Sequence, residues 1–144
     1  MKTTKSNARM KKIFLGFLAV MIMLPFSCNA EKIPFLQSSN APAAEGYVKI
    51  KTDRNNNNVI QIHIENLAQI ESLEPAMQTY IVWMVTDQET TENIGRINST
   101  NSLNVSFEAV TSFQPVKIFI TAEENENTQE PSWKVYLTTD KFWE

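Results

Sequence analysis

From Gly46 onward the chain is cut into short β-forming runs by polar turns, which leaves little room for a helix of several turns. Gly46–Asp53 (GYVKIKTD) sets Tyr47 and Lys49 against Val48 and Ile50. After an Arg-Asn turn, Val59–Glu65 puts Ile60, Ile62 and Ile64 on one face and Gln61, His63 and Glu65 on the other. Successive strand side chains point to opposite faces, so this alternation marks strands with one buried and one wet face. Thr79–Thr86 (TYIVWMVT) is apolar on both faces, as a central strand requires. Asn93–Asn98, the alternating Leu103, Val105 and Phe107, then Val116–Ala122 and Ser132–Thr138 bring the number of strands to about seven. Leu67–Pro75 reads as a connection containing a helical turn. Turn signals every 8–12 residues or so predict an all-β fold, an Ig-like antiparallel β-sandwich. Its expected structural core includes Tyr80, Val82, Trp83, Met84, Gly95 and Phe119.

The first 28 residues do not fit that pattern. Lys11 and Lys12 precede the apolar run Ile13–Leu24, followed by Pro25-Phe26-Ser27-Cys28. As a helix that run would be about 18 Å long, short of the roughly 30 Å hydrocarbon core of a bilayer. A positive flank, a short apolar centre and a small residue at its end describe an export signal, with Met10 an alternative initiator to Met1. Cys28 is the one cysteine of the chain, so no internal disulfide can form. Its place after Ser27 resembles a bacterial lipobox, with Pro25 where a leucine is usual. The expectation is a lipoprotein acylated on Cys28 and held on the extracytoplasmic side of the cell envelope, at the periplasm or cell surface. The competing reading is a plain signal peptide cleaved near Ala30. Residues 29–45, with Pro34, Pro42 and no sustained period, read as a flexible tether between anchor and domain, with Ile33, Phe35 and Leu36 either docking on the domain or forming part of the spacer. The domain itself is expected over residues 46–144.

Export changes the electrostatics. Five of the 13 Lys and Arg precede Cys28, whereas all 16 Asp and Glu follow it, so the exported part carries a formal charge of −8. Such a surface repels phosphate backbones, which argues against nucleic acid as a partner.

The residues that could carry chemistry are sparse. His63 is the chain's one histidine and sits on a polar strand face, so zinc sites and Ser-His-Asp logic both lack material. The acidic run with Glu123, Glu124, Glu126 and Glu130 has calcium-type ligands without their spacing, and reads as a solvated hairpin tip. No cofactor, metal or catalytic residue is expected, and the chain is read as not an enzyme. Trp133 and Trp143, with Phe142, are the aromatics able to form a sugar-stacking surface. The plainer reading has Trp133 covering a core edge and Phe142-Trp143 pinning the chain end.

Several blocks in order resemble the extracytoplasmic C-terminal domain of the anti-sigma-K factor family. They are Leu73-Glu74-Pro75, Tyr80-Ile81-Val82-Trp83-Met84, Ile94-Gly95-Arg96-Ile97, Ile118–Glu123, Pro131 and Val135-Tyr136-Leu137. The loop Glu124-Asn125-Glu126-Asn127 departs from the proline and paired glycines usual there. The resemblance implies the sandwich fold and an outward-facing location. It does not imply sigma-factor binding, because the cytoplasmic helical segment that does this in the family has no counterpart here. The functional expectation is a non-catalytic, membrane-anchored binding or sensor domain, accessory to envelope signalling through a protein partner. The alternative is a surface glycan-binding or adhesion lipoprotein using Trp133 and Trp143.

Overall fold

The computed structural model describes residues 30–98 and 103–142. Eight strands follow one another: β1 (Ile33–Pro34), β2 (Glu45–Thr52), β3 (Asn58–Glu65), β4 (Thr79–Thr86), β5 (Thr91–Ile97), β6 (Val105–Thr111), β7 (Pro115–Glu123) and β8 (Val135–Thr138). They form two antiparallel sheets of four, ordered β1-β2-β3-β6 and β5-β4-β7-β8. The chain returns to the first sheet for β6 and crosses again for β7, so the sheets are woven together in the Greek-key manner of a β-sandwich. Between β3 and β4 lies one short 3-10 turn, Ile70–Ser72.

Alternation sets the sandwich interior. Val48, Ile60, Ile62 and Ile64 of the first sheet face Tyr80, Val82, Met84, Ile118, Ile120 and Leu137 of the second in one buried cluster. Tyr80 meets Tyr136 edge-to-face, with centroids 5.6 Å apart, and its hydroxyl donates to the Ala68 carbonyl at 3.1 Å. Burial holds the Tyr80 phenol well above its ordinary 10.0, and neighbouring Tyr136 adds to the effect. Gly95 is half-buried at φ +139°, and a Cβ there would come within 2.9 Å of the Phe107 ring. Only a glycine lets β5 approach the first sheet so closely in that conformation.

Three expectations need correction. Residues 33–44 are not a loose spacer. Ile33 and Pro34 pair with Val48 and Tyr47, and Leu36 bridges to Thr138 in the other sheet. Ala41 and Ala44 are buried, and the Asn40 amide donates to the Val135 carbonyl at 2.8 Å. The segment docks because it offers Ile33 and Phe35 to the core and backbone groups to two otherwise open edges. The sandwich therefore starts at Ile33 rather than Gly46.

Ser132–Lys134 lie outside the last strand, which begins at Val135. Trp133 does not cover a core edge: it is 91% exposed. Phe142 does pack on the core, and its N–H donates to the Val116 carbonyl at 2.8 Å. Trp143 and Cys28 lie outside the described residues.

The two ends of the sandwich differ. At one end, strands are joined by short turns at 53–57, 87–90 and 112–114. These turns are bonded together: Asp87 N–H donates to the Gln114 carbonyl at 3.1 Å, and Asn58 Nδ2 to the Phe113 carbonyl at 2.9 Å. At the other end run the connections 35–44, 66–78 and 124–134. Strand β1 is antiparallel to β2, so the residues preceding Ile33 head for the short-turn end, where Lys32 and Ile33 line a concavity with Ile50, Lys141 and Phe142.

Candidate functional site

Two outer faces of the sandwich carry organised side chains. On the β5-β4-β7-β8 sheet, the alternation that sends Tyr80, Val82 and Met84 inward sends Ile81 and Trp83 outward. Trp83 is nevertheless fully buried. Its indole lies nearly parallel to Phe119, with centroids 6.3 Å apart, and its Nε1–H donates to Thr121 Oγ1 at 2.8 Å. Sequence alternation identified Trp83 as a packing residue. It had no means of showing that the packing lies on the far side of the sheet from the main core.

The 124–134 connection is tied to this outer layer by polar contacts. The Thr121 hydroxyl donates to Glu123 Oε1, which also accepts the Ser132 N–H at 2.8 Å. Asn93 Nδ2 donates to the Thr128 carbonyl at 3.0 Å, and Arg96 forms an ion pair with Glu126. The acidic run is thus no free hairpin tip. Glu123 is buried, Glu126 is paired, and Glu124 and Glu130 face solvent. The hydrogen-bond chain from Trp83 through Thr121 and Glu123 to Ser132 fixes the backbone beside Trp133, whose ring stands almost wholly in water. Tryptophan is enriched among the residues that dominate binding energy at protein interfaces.

The outer face of the first sheet is built in rows. Registers Tyr47↔His63↔Ser106 and Lys49↔Gln61↔Glu108 run across β2, β3 and β6. The rings of Tyr47 and His63 are tilted together with centroids 5.6 Å apart. His63 Nδ1 lies 3.3 Å from Ser106 Oγ and its Nε2 lies 3.3 Å from Glu65 Oε1. Gln61 Nε2 donates to Glu108 Oε2 at 2.7 Å. Lys32 Nζ stands 4.3 Å from the Tyr47 ring centroid and Lys49 Nζ 5.5 Å. Beside the shared Tyr47–His63 wall open two shallow concavities of about 510 and 330 Å³, one toward Gln37 and Glu45, the other toward Gln61 and Ser106. Gly46 allows this close pairing, because a Cβ there would sit 2.2 Å from the His63 carbonyl oxygen.

Tyr47, Lys32 and Lys49 were not singled out in the sequence. The signal was the Tyr47–Lys49 alternation opposite Gln61 and His63, but only the β2–β3 register makes them neighbours. Among the described residues no group of His, Cys, Asp and Glu is placed to hold a metal ion. No helix among them is long and apolar enough to cross a membrane.

No family model, curated protein or solved structure matches the chain. The anti-sigma-K resemblance remains an expectation carried by the blocks quoted above.

Proposed function

We propose that this chain is a non-catalytic, lipid-anchored binding or sensor domain on the extracytoplasmic side of the envelope, engaging a protein partner through its long-loop end. The observation that supports the reading most is Trp133, 91% exposed on a connection hydrogen-bonded down to the sheet. Recognition residues concentrate on loops held by a rigid scaffold, and buried aromatic anchors dominate binding energy. The polarity of the fold agrees with an anchor at Cys28. The chain preceding Ile33 heads for the short-turn end, so a lipid there would leave the long loops pointing away from the membrane. An accessory part in envelope signalling is the version the anti-sigma-K resemblance suggests.

Crosslinking in intact cells tests this reading directly. The wild-type chain should capture one dominant envelope protein and Trp133→Ala should lose it while keeping its melting temperature. Equal capture by both would remove Trp133 from the interface. Separately, Cys28→Ala should leave the membrane fraction, and a variant that stays there would overturn lipid anchoring. The second reading, a surface glycan-binding or adhesion module, draws on the same exposed indole, which could stack on a sugar ring.

A further inference from the structure

The outer face of the first sheet carries an unbalanced charge arrangement that the loop-end reading does not use. Lys32 precedes Ile33 and Lys49 follows its partner Val48, and both ammonium groups lean on the ring of Tyr47. Two like charges held at one ring repel each other. Neither lysine is ion-paired among the described residues, although the chain beyond Cys28 has twice as many acids as bases. Cations have gathered on one aromatic ring of an acidic protein, and an anion between them is the partner that would relieve their repulsion.

We propose that this face binds an acidic saccharide, a sugar ring bearing a carboxylate. The carboxylate would lie between Lys32 and Lys49, accepting charge-assisted hydrogen bonds from both. The apolar C–H face of the sugar would rest on Tyr47 and His63, whose tilted rings form the wall shared by the two concavities. Sugar hydroxyls both donate and accept, and the second row supplies both kinds of partner: the Gln61 amide and the Glu108 carboxylate, already bonded to each other at 2.7 Å. Their exposure makes exchange of that bond for ligand contacts inexpensive. The site is separate from Trp133 and does not depend on any partner there.

The test is a titration of the folded domain, residues 30–144, followed by NMR of the His63 ring and the Tyr47 amide. The probes are a galacturonic acid trimer and the uncharged galactose trimer. The acidic trimer should shift both signals to saturation and the neutral one should bind at least about tenfold more weakly, the ratio that about 1.4 kcal/mol of lost contact produces. Lys32→Gln with Lys49→Gln should abolish the difference between the probes, and Tyr47→Ala should weaken both. These side chains stand on the outer face, so circular dichroism should be unchanged. Failure of the acidic trimer to bind, equal binding of both, or full affinity in the double lysine variant would overturn the proposal. So would acetate competing as well as the trimer, because the lysines would then be a bare anion site. Should Tyr47→Ala unfold, the double lysine variant and the two probes carry the decision.

Discussion

The two ends of this sandwich solve the same problem, returning the chain to its sheet, with very different amounts of material. At the short-turn end three to five residues suffice for each return, and the turns hold one another through backbone and asparagine hydrogen bonds. Asp53 is typical: its Oδ1 accepts the N–H groups of Asn55 and Asn57 at 2.7 and 2.9 Å, which closes the turn locally. At the long-loop end the 124–134 connection is 11 residues long and is held by tertiary contacts instead: a buried glutamate, an ion pair and an asparagine on the neighbouring strand. Local closure makes one end cheap and insensitive to the rest of the molecule. Long-range closure makes the other end depend on the sheet beneath it, and leaves side chains such as Trp133 free of structural duty.

The comparison can be broken most forcefully at Trp83. If it is the floor of the long loop as well as a packing residue, Trp83→Ala should cost about 3–5 kcal/mol, enough to unfold a marginal domain. Chemical denaturation measures it, and a variant that keeps its midpoint but loses partner binding would show that the outer layer carries no stability. Glu123→Ala is the intermediate case. It strands the Thr121 hydroxyl and the Ser132 N–H, at a cost of about 1–3 kcal/mol. Hydrogen exchange should rise through residues 124–134 while the turns at 53–57 and 112–114 stay protected. A uniform rise at both ends would mean the ends are not independent.

The smallest effect belongs to the short-turn end. Hydrogen bonding to the Asn57 backbone holds the Asp53 carboxyl below its ordinary 3.8, against the opposing effect of burial. A lowered folded value stabilises above the unfolded value and is lost as pH falls through the folded one. The melting temperature of Asp53→Asn should therefore be slightly below wild type at neutral pH and equal to it in strong acid. A gap that persists in acid would assign the effect to geometry rather than charge.

Sequence periodicity made the β2–β3 hairpin and the central strand legible, since Ile60, Ile62 and Ile64 alternate cleanly and Thr79–Thr86 is apolar throughout. It failed at β1. Two residues cannot display a period, and Pro34 and Pro42 look like spacer chemistry until the partner edges are known. The acidic loop misled for a related reason: glutamates at a turn look solvated, and only Thr121 and Ser132 reveal that Glu123 is buried. The Lys32–Tyr47–Lys49 group was illegible because it joins residues from two segments whose pairing is not encoded in either.

The strap formed by Ile33–Leu36 also gives the domain a load path. It runs along the strand direction, bonded to Val48 and Tyr47 in one sheet and to Thr138 in the other. Tension arriving through the chain before it would pull along the strap, loading these bonds in shear and spreading the force over both sheets. A domain held this way resists being peeled open from one edge, and its survival under flow or traction is governed by the rate of forced unfolding rather than by equilibrium stability.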